Sequence, residues 1–286
     1  MRGKPVWLFK TNPNWGDDLI DFIMFEFHVM KNTSDTIRVK LSAIKFWHVI
    51  TGLGDFTKFG GRYLQVLKGM KRQRRVSRKI PFSLDMAEWM YRNFLAPDMA
   101  NQMRIELYTA TVLGFFFLLR IGELEKLRMS DVQLGRGEDL NEIITIHIRN
   151  SKTDQFNEGD FKTLSAIPGI ACPVKAMARL ISSRDWDHQS DKQIFGGWLR
   201  NRLCATLRLV GVAIGIPASR IGNHSLRSGG VTAMWRAGYD IETIKRWGRW
   251  KSASPQGYLR DGRRIMASIG RGMVLTRGNT YQFAAR

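Results

Sequence analysis

The sequence predicts a mainly α protein with a small antiparallel β-hairpin or sheet, an α+β fold in two parts. A helical N-terminal domain covers residues 1–72, a basic linker 73–81, and a larger mixed domain 82–286. Three observations carry this reading. Residues 1 to about 72 show helical periodicity and no strand pattern. A single alternating β-branched segment, Glu142 to Arg149, is followed by a turn and a second short strand. After Pro173 the helical period returns and runs to near Gly270. At 286 residues with 44% hydrophobic content, the chain can bury two cores and is not a disordered polymer.

Taken in order, the first helix runs from about Asp17 to Lys31, where Leu19, Ile20, Ile23, Phe27 and Met30 recur at helical spacing. The second starts near Ser34, with Ser34 and Asp35 as cap residues and Gly52 as its stop, and carries Ile37, Leu41, Ile44 and Ile50. The third spans Arg62 to Lys71 and leads into a run in which six of the nine positions 71–79 are Lys or Arg, closed by Pro81. Helices follow at Ser83–Phe94, Asn101–Leu119 and Gly122–Met129. The strand Glu142–Arg149 comes next, then a turn at Asn150–Asp154 and a returning strand at Lys162–Ile167. The tail 271–286 has weak periodicity.

Charge narrows the partner. Lys and Arg number 45 against 25 Asp and Glu, a net charge of +20. Such an excess opposes compaction and attracts a polyanion, so nucleic acid is expected before a membrane surface or an acidic protein. In that setting Lys71, Arg72, Arg74, Arg75, Arg78 and Lys79 are candidate phosphate contacts; the same run also reads as a solvated linker or a nuclear-import signal. Two cysteines, Cys172 and Cys204, exclude a disulfide scaffold and a Cys-rich zinc site, and point to a reducing compartment. The longest uncharged apolar run, between Glu106 and Arg120, is too short for a bilayer, and MRGKPVWLFK lacks the apolar core of a signal peptide. The expectation is an intracellular, non-secreted protein without a membrane partner, nuclear if the source is eukaryotic and cytoplasmic otherwise. No Asp/Glu/His cluster has metal-ligand spacing, so no metal or other cofactor is expected.

Four places carry chemistry. Arg120 ends an apolar helix and must reach solvent, pair with Glu123, or serve a ligand, because an unpaired buried charge is costly. Lys152 lies at the tip of the hairpin, where a lysine is either solvated or functional. His224 and Arg227 are three apart, so on a helix imidazole and guanidinium share a face. Asn223 and Ser225 beside them are capping types, which places the pair at a helix start suited to an anion. Trp247-Gly248-Arg249-Trp250 and Tyr258 read alone as packing residues.

The order Arg, Lys, His-x-x-Arg, Trp, Tyr resembles the tyrosine recombinase (phage integrase) superfamily over nearly the whole chain. Leu118-Leu119-Arg120-Ile121-Gly122-Glu123-Leu124 looks like its first arginine box, and Ser151-Lys152-Thr153-Asp154-Gln155-Phe156 like its hairpin lysine. His224-Ser225-Leu226-Arg227-Ser228-Gly229-Gly230 looks like its second box, and Tyr258, 31 residues beyond Arg227, stands where the nucleophile belongs. Ser42-Ala43-Ile44-Lys45-Phe46-Trp47-His48 with Gly52-Leu53-Gly54-Asp55 is similar to recombinases of eukaryotic mobile elements, the DIRS-type and Crypton-type branches. Where many members have Gly-His before the tyrosine, this chain has Gly248-Arg249-Trp250; Trp250 is assigned to that place and Arg249 competes for it.

The resemblance implies a helical core-binding domain and a catalytic domain forming a C-shaped clamp on double-stranded DNA, acting as a homotetramer on two duplexes. It implies a DNA recombinase or integrase working through a 3′-phosphotyrosine without metal or ATP. Arg120 and Arg227 then clamp the phosphate, and His224 hydrogen-bonds it. Lys152 protonates the leaving oxygen, Trp250 positions the site, Tyr258 attacks, and Glu123 orients the arginine and histidine. A catalytically silent DNA-binding derivative and a type IB topoisomerase-like nicking-closing enzyme are the competing readings.

Overall fold

The computed structural model describes residues 14–59, 61–73, 79–96, 101–149, 158–184, 191–252 and 254–258. The chain packs as two compact units, residues 1–77 and 78–286. It is mainly helical with one three-stranded antiparallel sheet, the class expected from the sequence.

In the first unit, α1 (Trp15–His28), α2 (Ser34–Ile50) and α3 (Arg62–Gln73) bury one apolar stripe each. Leu19, Ile23 and Phe27 meet Ile37, Leu41, Leu67 and Met70, with Phe56 closing the core. The cap of α2 is Thr33, whose hydroxyl accepts the Thr36 N–H at 3.2 Å; the expected caps Ser34 and Asp35 lie within the first turn. Gly52 takes φ 77° just past the helix, a conformation open to glycine and costly to most residues. The Lys45 and Asp55 of the quoted segment meet at 2.7 Å. That bond, then the Thr57 hydrogen bonds, hold the Asp55 carboxyl down to about 2. The segment thus fastens α2 to the turn that follows it.

The second unit is built around α5 (Gln102–Phe116), in which every residue from Glu106 to Phe115 is buried. A helix covered on all sides needs apolar residues all round, as this one has. It packs against α4 (Leu84–Phe94), α7 (Pro173–Ser182), α8 (Leu199–Ala213) and α9 (His224–Arg236). Its one buried charge, Glu106, is met by Arg184. Between α5 and α7 lie the short α6 (Ile121–Lys126) and the sheet β1 (Val132–Arg136), β2 (Glu142–Ile148), β3 (Asp160–Ser165). Ile144, Ile146 and Ile148 turn their side chains to the core.

Three differences from the sequence expectation have local causes. Strand β1 has no alternation to announce it: only Val132 of its five residues is buried, and it exists by pairing with β2, Val132 opposite Ile146. Strand β3 starts at Asp160, opposite Ile148, and ends at Ser165, two residues earlier at each end than expected. Helix α6 stops at Lys126 instead of Met129, because Leu127 and Arg128 pair with a returning strand-like segment: Ile194 N–H donates to the Leu127 carbonyl at 2.9 Å and Gln193 bridges Arg128. That segment also interrupts the helical run expected after Pro173.

Two glycines bring α9 to its place. A Cβ on Gly229 would lie 2.2 Å from the Phe82 carbonyl oxygen, and one on Gly230 would lie 2.2 Å from that of Phe115. Without side chains there, α9 lies against the C-terminal end of α5. Its first turn therefore sits beside the Leu118–Arg120 bend.

Candidate active site

The bend after α5 sets the first group. Leu118 takes φ 51°, a left-handed conformation unfavourable for a branched residue, and turns the chain so that Arg120 becomes the N-cap of α6. Glu123, at the third position of α6, accepts the Arg120 backbone N–H on Oε2 at 2.8 Å and its Nη1 on Oε1 at 2.6 Å. This is the carboxylate half of a capping box, and it fixes the guanidinium direction. Arg120 keeps 26% of its side chain exposed while Glu123 keeps 7%, so the arginine faces outward from a buried anchor.

The second group comes from α9, which begins at His224. Asn223 occupies the cap position but its side chain does not cap; its amide donates to the Arg200 carbonyl at 3.0 Å. One turn in, Arg227 is 2% exposed. It donates Nη1 to the Leu118 carbonyl and Nη2 to the Gly248 carbonyl. The Trp250 ring covers its guanidinium, with the centroid 3.9 Å from Cζ. His224 shares this face. Loss of hydration, then the charges of Arg227 and Arg120, push the imidazole below its ordinary pKa, so the ring is neutral at pH 7 and able to accept a proton.

The third group is the end of α10 (Ile241–Gly248), a helix capped by Asp240, which accepts the Glu242 and Thr243 N–H groups at 2.9 Å each. Trp247 docks it: the indole N–H donates to the Phe116 carbonyl at 2.9 Å and the ring stacks on Phe117. The helix closes in a Schellman motif, with Arg249 N–H to Arg246 O, Trp250 N–H to Lys245 O at 2.9 Å, and Arg249 left-handed at φ 59°. Gly248 is required, since a Cβ there would meet the Trp250 ring at 1.6 Å. Arg249 turns inward, 8% exposed, and donates to Glu123 Oε2 at 2.7 Å and to the Leu118 carbonyl at 3.4 Å. Burial pushes its pKa down and the Glu123 charge opposes this.

Arg120, Glu123, His224, Arg227, Arg249 and Trp250 are therefore one cluster drawn from three distant segments. Both competitors for the Gly-His place are in it: Trp250 lies on Arg227 and Arg249 lies on Glu123. The short turn Ser254–Tyr258 packs against α9 and α10, which brings the Tyr258 backbone to the same end of the unit. Lys152 lies outside the described residues, on the segment between Arg149 and Glu158. A groove of roughly 320 Å³ lies between Ile148, Glu158 and Asp160 on one side and Lys245, Arg246 and Arg249 on the other. Of the basic run, Lys71 and Arg72 are exposed at the end of α3 and Lys79 donates to the Ser219 carbonyl at 2.6 Å; Arg74, Arg75 and Arg78 lie outside the described residues.

Sequence reasoning did not find the carbonyls of Leu118 and Gly248, which hold Arg227, or the pair Asp160–Lys162 at 2.9 Å, whose lysine lies over Trp247. A carbonyl has no residue signature. Asp160 and Lys162 are opposite charges at i and i+2, which share a face of a strand; with the strand expected to begin only at Lys162 the pairing had no frame. Among the described residues, no three His, Cys, Asp or Glu side chains gather to hold a metal, and no helix is long and apolar enough to cross a membrane.

Solved structures place this architecture. The Tn1549 transposon integrase in complex with a circular intermediate DNA superposes with a TM-score of 0.57 at 14% identity, covering 89% of this chain and 84% of that one. A second complex of the same integrase gives 0.55 at 14% identity, covering 87% and 83%. The chain has the tyrosine-recombinase fold. The XerH site-specific recombinase bound to its difH substrate gives 0.49 at 16% identity; that match covers 67% of this chain and 54% of XerH, so the chain spans about half of XerH's length. No protein-family model and no curated protein sequence matches the chain. Within the tyrosine-recombinase fold of this chain, the cluster sits where the end of α5, the start of α9 and the end of α10 meet.

Proposed function

We propose that this chain is a site-specific DNA recombinase or integrase of a mobile element, cutting and rejoining duplex DNA through a 3′-phosphotyrosine without metal or ATP. The observation that carries the reading is the convergence of Arg120, His224, Arg227 and Trp250 on one spot, beside the turn that ends in Tyr258. Two guanidiniums and a neutral imidazole suit a phosphodiester, and the net charge of +20 suits its polyanionic carrier.

In this reading the Tyr258 phenolic oxygen attacks phosphorus and the 5′ oxygen leaves. The bond energy is kept in the phosphotyrosine, so a second 5′-hydroxyl reverses the step. Arg120 and Arg227 stabilise the charge that grows on the non-bridging oxygens. His224 hydrogen-bonds the phosphate and takes the phenolic proton, which is its neutral form's capacity. Lys152 protonates the departing 5′ oxygen, and Trp250 holds Arg227 in place. The assembly is a homotetramer on two duplexes, and the DIRS-type or Crypton-type branch is the source of the element.

The test is a nicked suicide duplex bearing candidate element ends, which releases the short 5′-hydroxyl strand and traps the adduct. Wild-type protein forms a denaturant-resistant complex, and Tyr258→Phe, lacking one oxygen, binds the DNA and forms none. An adduct in the Phe variant would remove Tyr258 from the role. Binding without any adduct would identify a silent DNA-binding derivative. Relaxation of supercoils with no exchange between two marked duplexes would identify a nicking-closing enzyme.

A further inference from the structure

The residue that the reading above leaves without a task is Arg249, and its setting is unusual. A Schellman motif needs a left-handed residue at this place, and glycine adopts that conformation without the steric cost any L side chain incurs. Here the position holds a long cationic side chain, buried and directed into the cluster. It bonds to two acceptors, and each is shared with one of the two arginines: the Glu123 carboxylate with Arg120, and the Leu118 carbonyl with Arg227.

We propose that Arg249 is a positioning residue, which by sharing Glu123 with Arg120 keeps the Arg120 guanidinium turned toward the substrate phosphate and locks the end of α10 to the first arginine box. The proposal rests on the recombinase reading. Its physical content is charge division. A carboxylate that pairs with one guanidinium neutralises it, and would draw Arg120 into a closed two-point pair. With Arg249 on Oε2, Glu123 offers Oε1 to the Arg120 side chain, and Arg120, Arg249 and Glu123 together keep one net positive charge. Without Arg249 the remaining pair is neutral, just where negative charge builds on phosphorus oxygens. The same contact makes the site conditional on the fold of the chain's C-terminal part. The turn that carries Trp250, and after it Tyr258, reaches Glu123 through Arg249.

The decisive variant is Arg249→Gly, because glycine is the residue the backbone prefers there. A merely structural role predicts that this variant, where it is folded, is as active as wild type. The positioning role predicts adduct formation slowed on the order of 10²-fold at a temperature where a Tm measurement shows the variant fully folded. Glu123→Gln combined with Arg249→Gly should be no slower than Glu123→Gln alone; full additivity would overturn the route through Glu123. Arg249→Lys, which keeps the charge, should recover part of the rate. A readout that needs no turnover is the His224 titration by NMR. When Glu123 closes on Arg120, less of the Arg120 charge reaches the imidazole, so Arg249→Gly raises the His224 pKa by more than the same change does on the Glu123→Gln background, where only the charge of Arg249 itself is lost. A rise no larger than on that background, or a fully active glycine variant, would overturn the proposal. Absence of an adduct in wild type would sink the recombinase reading alone, since the His224 titration still decides the coupling.

Discussion

Arg120 and Arg227 carry the same guanidinium to the same cluster by opposite means. Arg120 is a local construction: it is the N-cap of α6, its partner three residues on lies in the first turn, and 26% of the side chain stays exposed. Arg227 is a tertiary construction, 2% exposed, held by carbonyls 109 and 21 positions away and covered by Trp250. A charge paired locally to a carboxylate is free to be aimed outward. A charge held by neutral carbonyls keeps its full positive value, but the fold around it depends on its presence.

The largest effect is expected from breaking the buried member. Arg227→Leu takes the Arg227 donor from the Gly248 carbonyl, leaves the Leu118 carbonyl only the longer bond from Arg249, and uncovers the face of Trp250. The second unit should lose on the order of 3 kcal/mol in urea denaturation, and adduct formation should disappear with it. Arg120→Ala should separate the two quantities. Glu123 still has Arg249, so stability should change by about 1 kcal/mol or less, while single-turnover cleavage falls about 10²–10³-fold. Equal destabilisation by both variants would collapse the distinction between a local and a tertiary arginine.

The smallest effect reads the two charges from the imidazole between them. His224 is depressed by Arg227 more than by Arg120, so Arg227→Gln should raise its titration further than Arg120→Ala does. The sign for stability follows. As pH falls through about 6.5 the unfolded chain takes up the proton first, so stability drops from there down to the folded pKa. His224→Gln should remove that acid limb from the pH dependence of Tm, and an unchanged limb would show that His224 is not its source.

Much of this arrangement was legible in the residues. The i,i+3 spacing of His224 with Arg227 is a statement about a helix face, and the pair lies on the first turn of α9 as expected; Arg120, expected at the end of an apolar helix, is instead the N-cap of α6, because α5 stops at Phe116 and the chain bends before the arginine. The alternation of Glu142–Arg149 reads as strand β2, although its partner β1 was invisible because its four exposed positions, Gly135 among them, carry no pattern. Arg249 stood only as the competitor of Trp250 for the place before the tyrosine. Nothing in Trp247-Gly248-Arg249-Trp250 says that the chain turns left-handed at the arginine.

The sequence by itself determined the helices with their faces, the β-branched hairpin, the excess of positive charge and the ordered set of residues that can handle a phosphodiester. These follow from side-chain chemistry and spacing within one or two turns, where the backbone geometry is known in advance. Only the tertiary structure decided that the Leu118 carbonyl receives two arginines, that Trp250 covers Arg227, and that Glu123 is divided between Arg120 and Arg249. Those contacts join residues from 23 to 131 positions apart, or use backbone oxygens that every residue carries alike. They exist because Gly229, Gly230 and Gly248 let α9, α5 and Trp250 approach closely enough to make them.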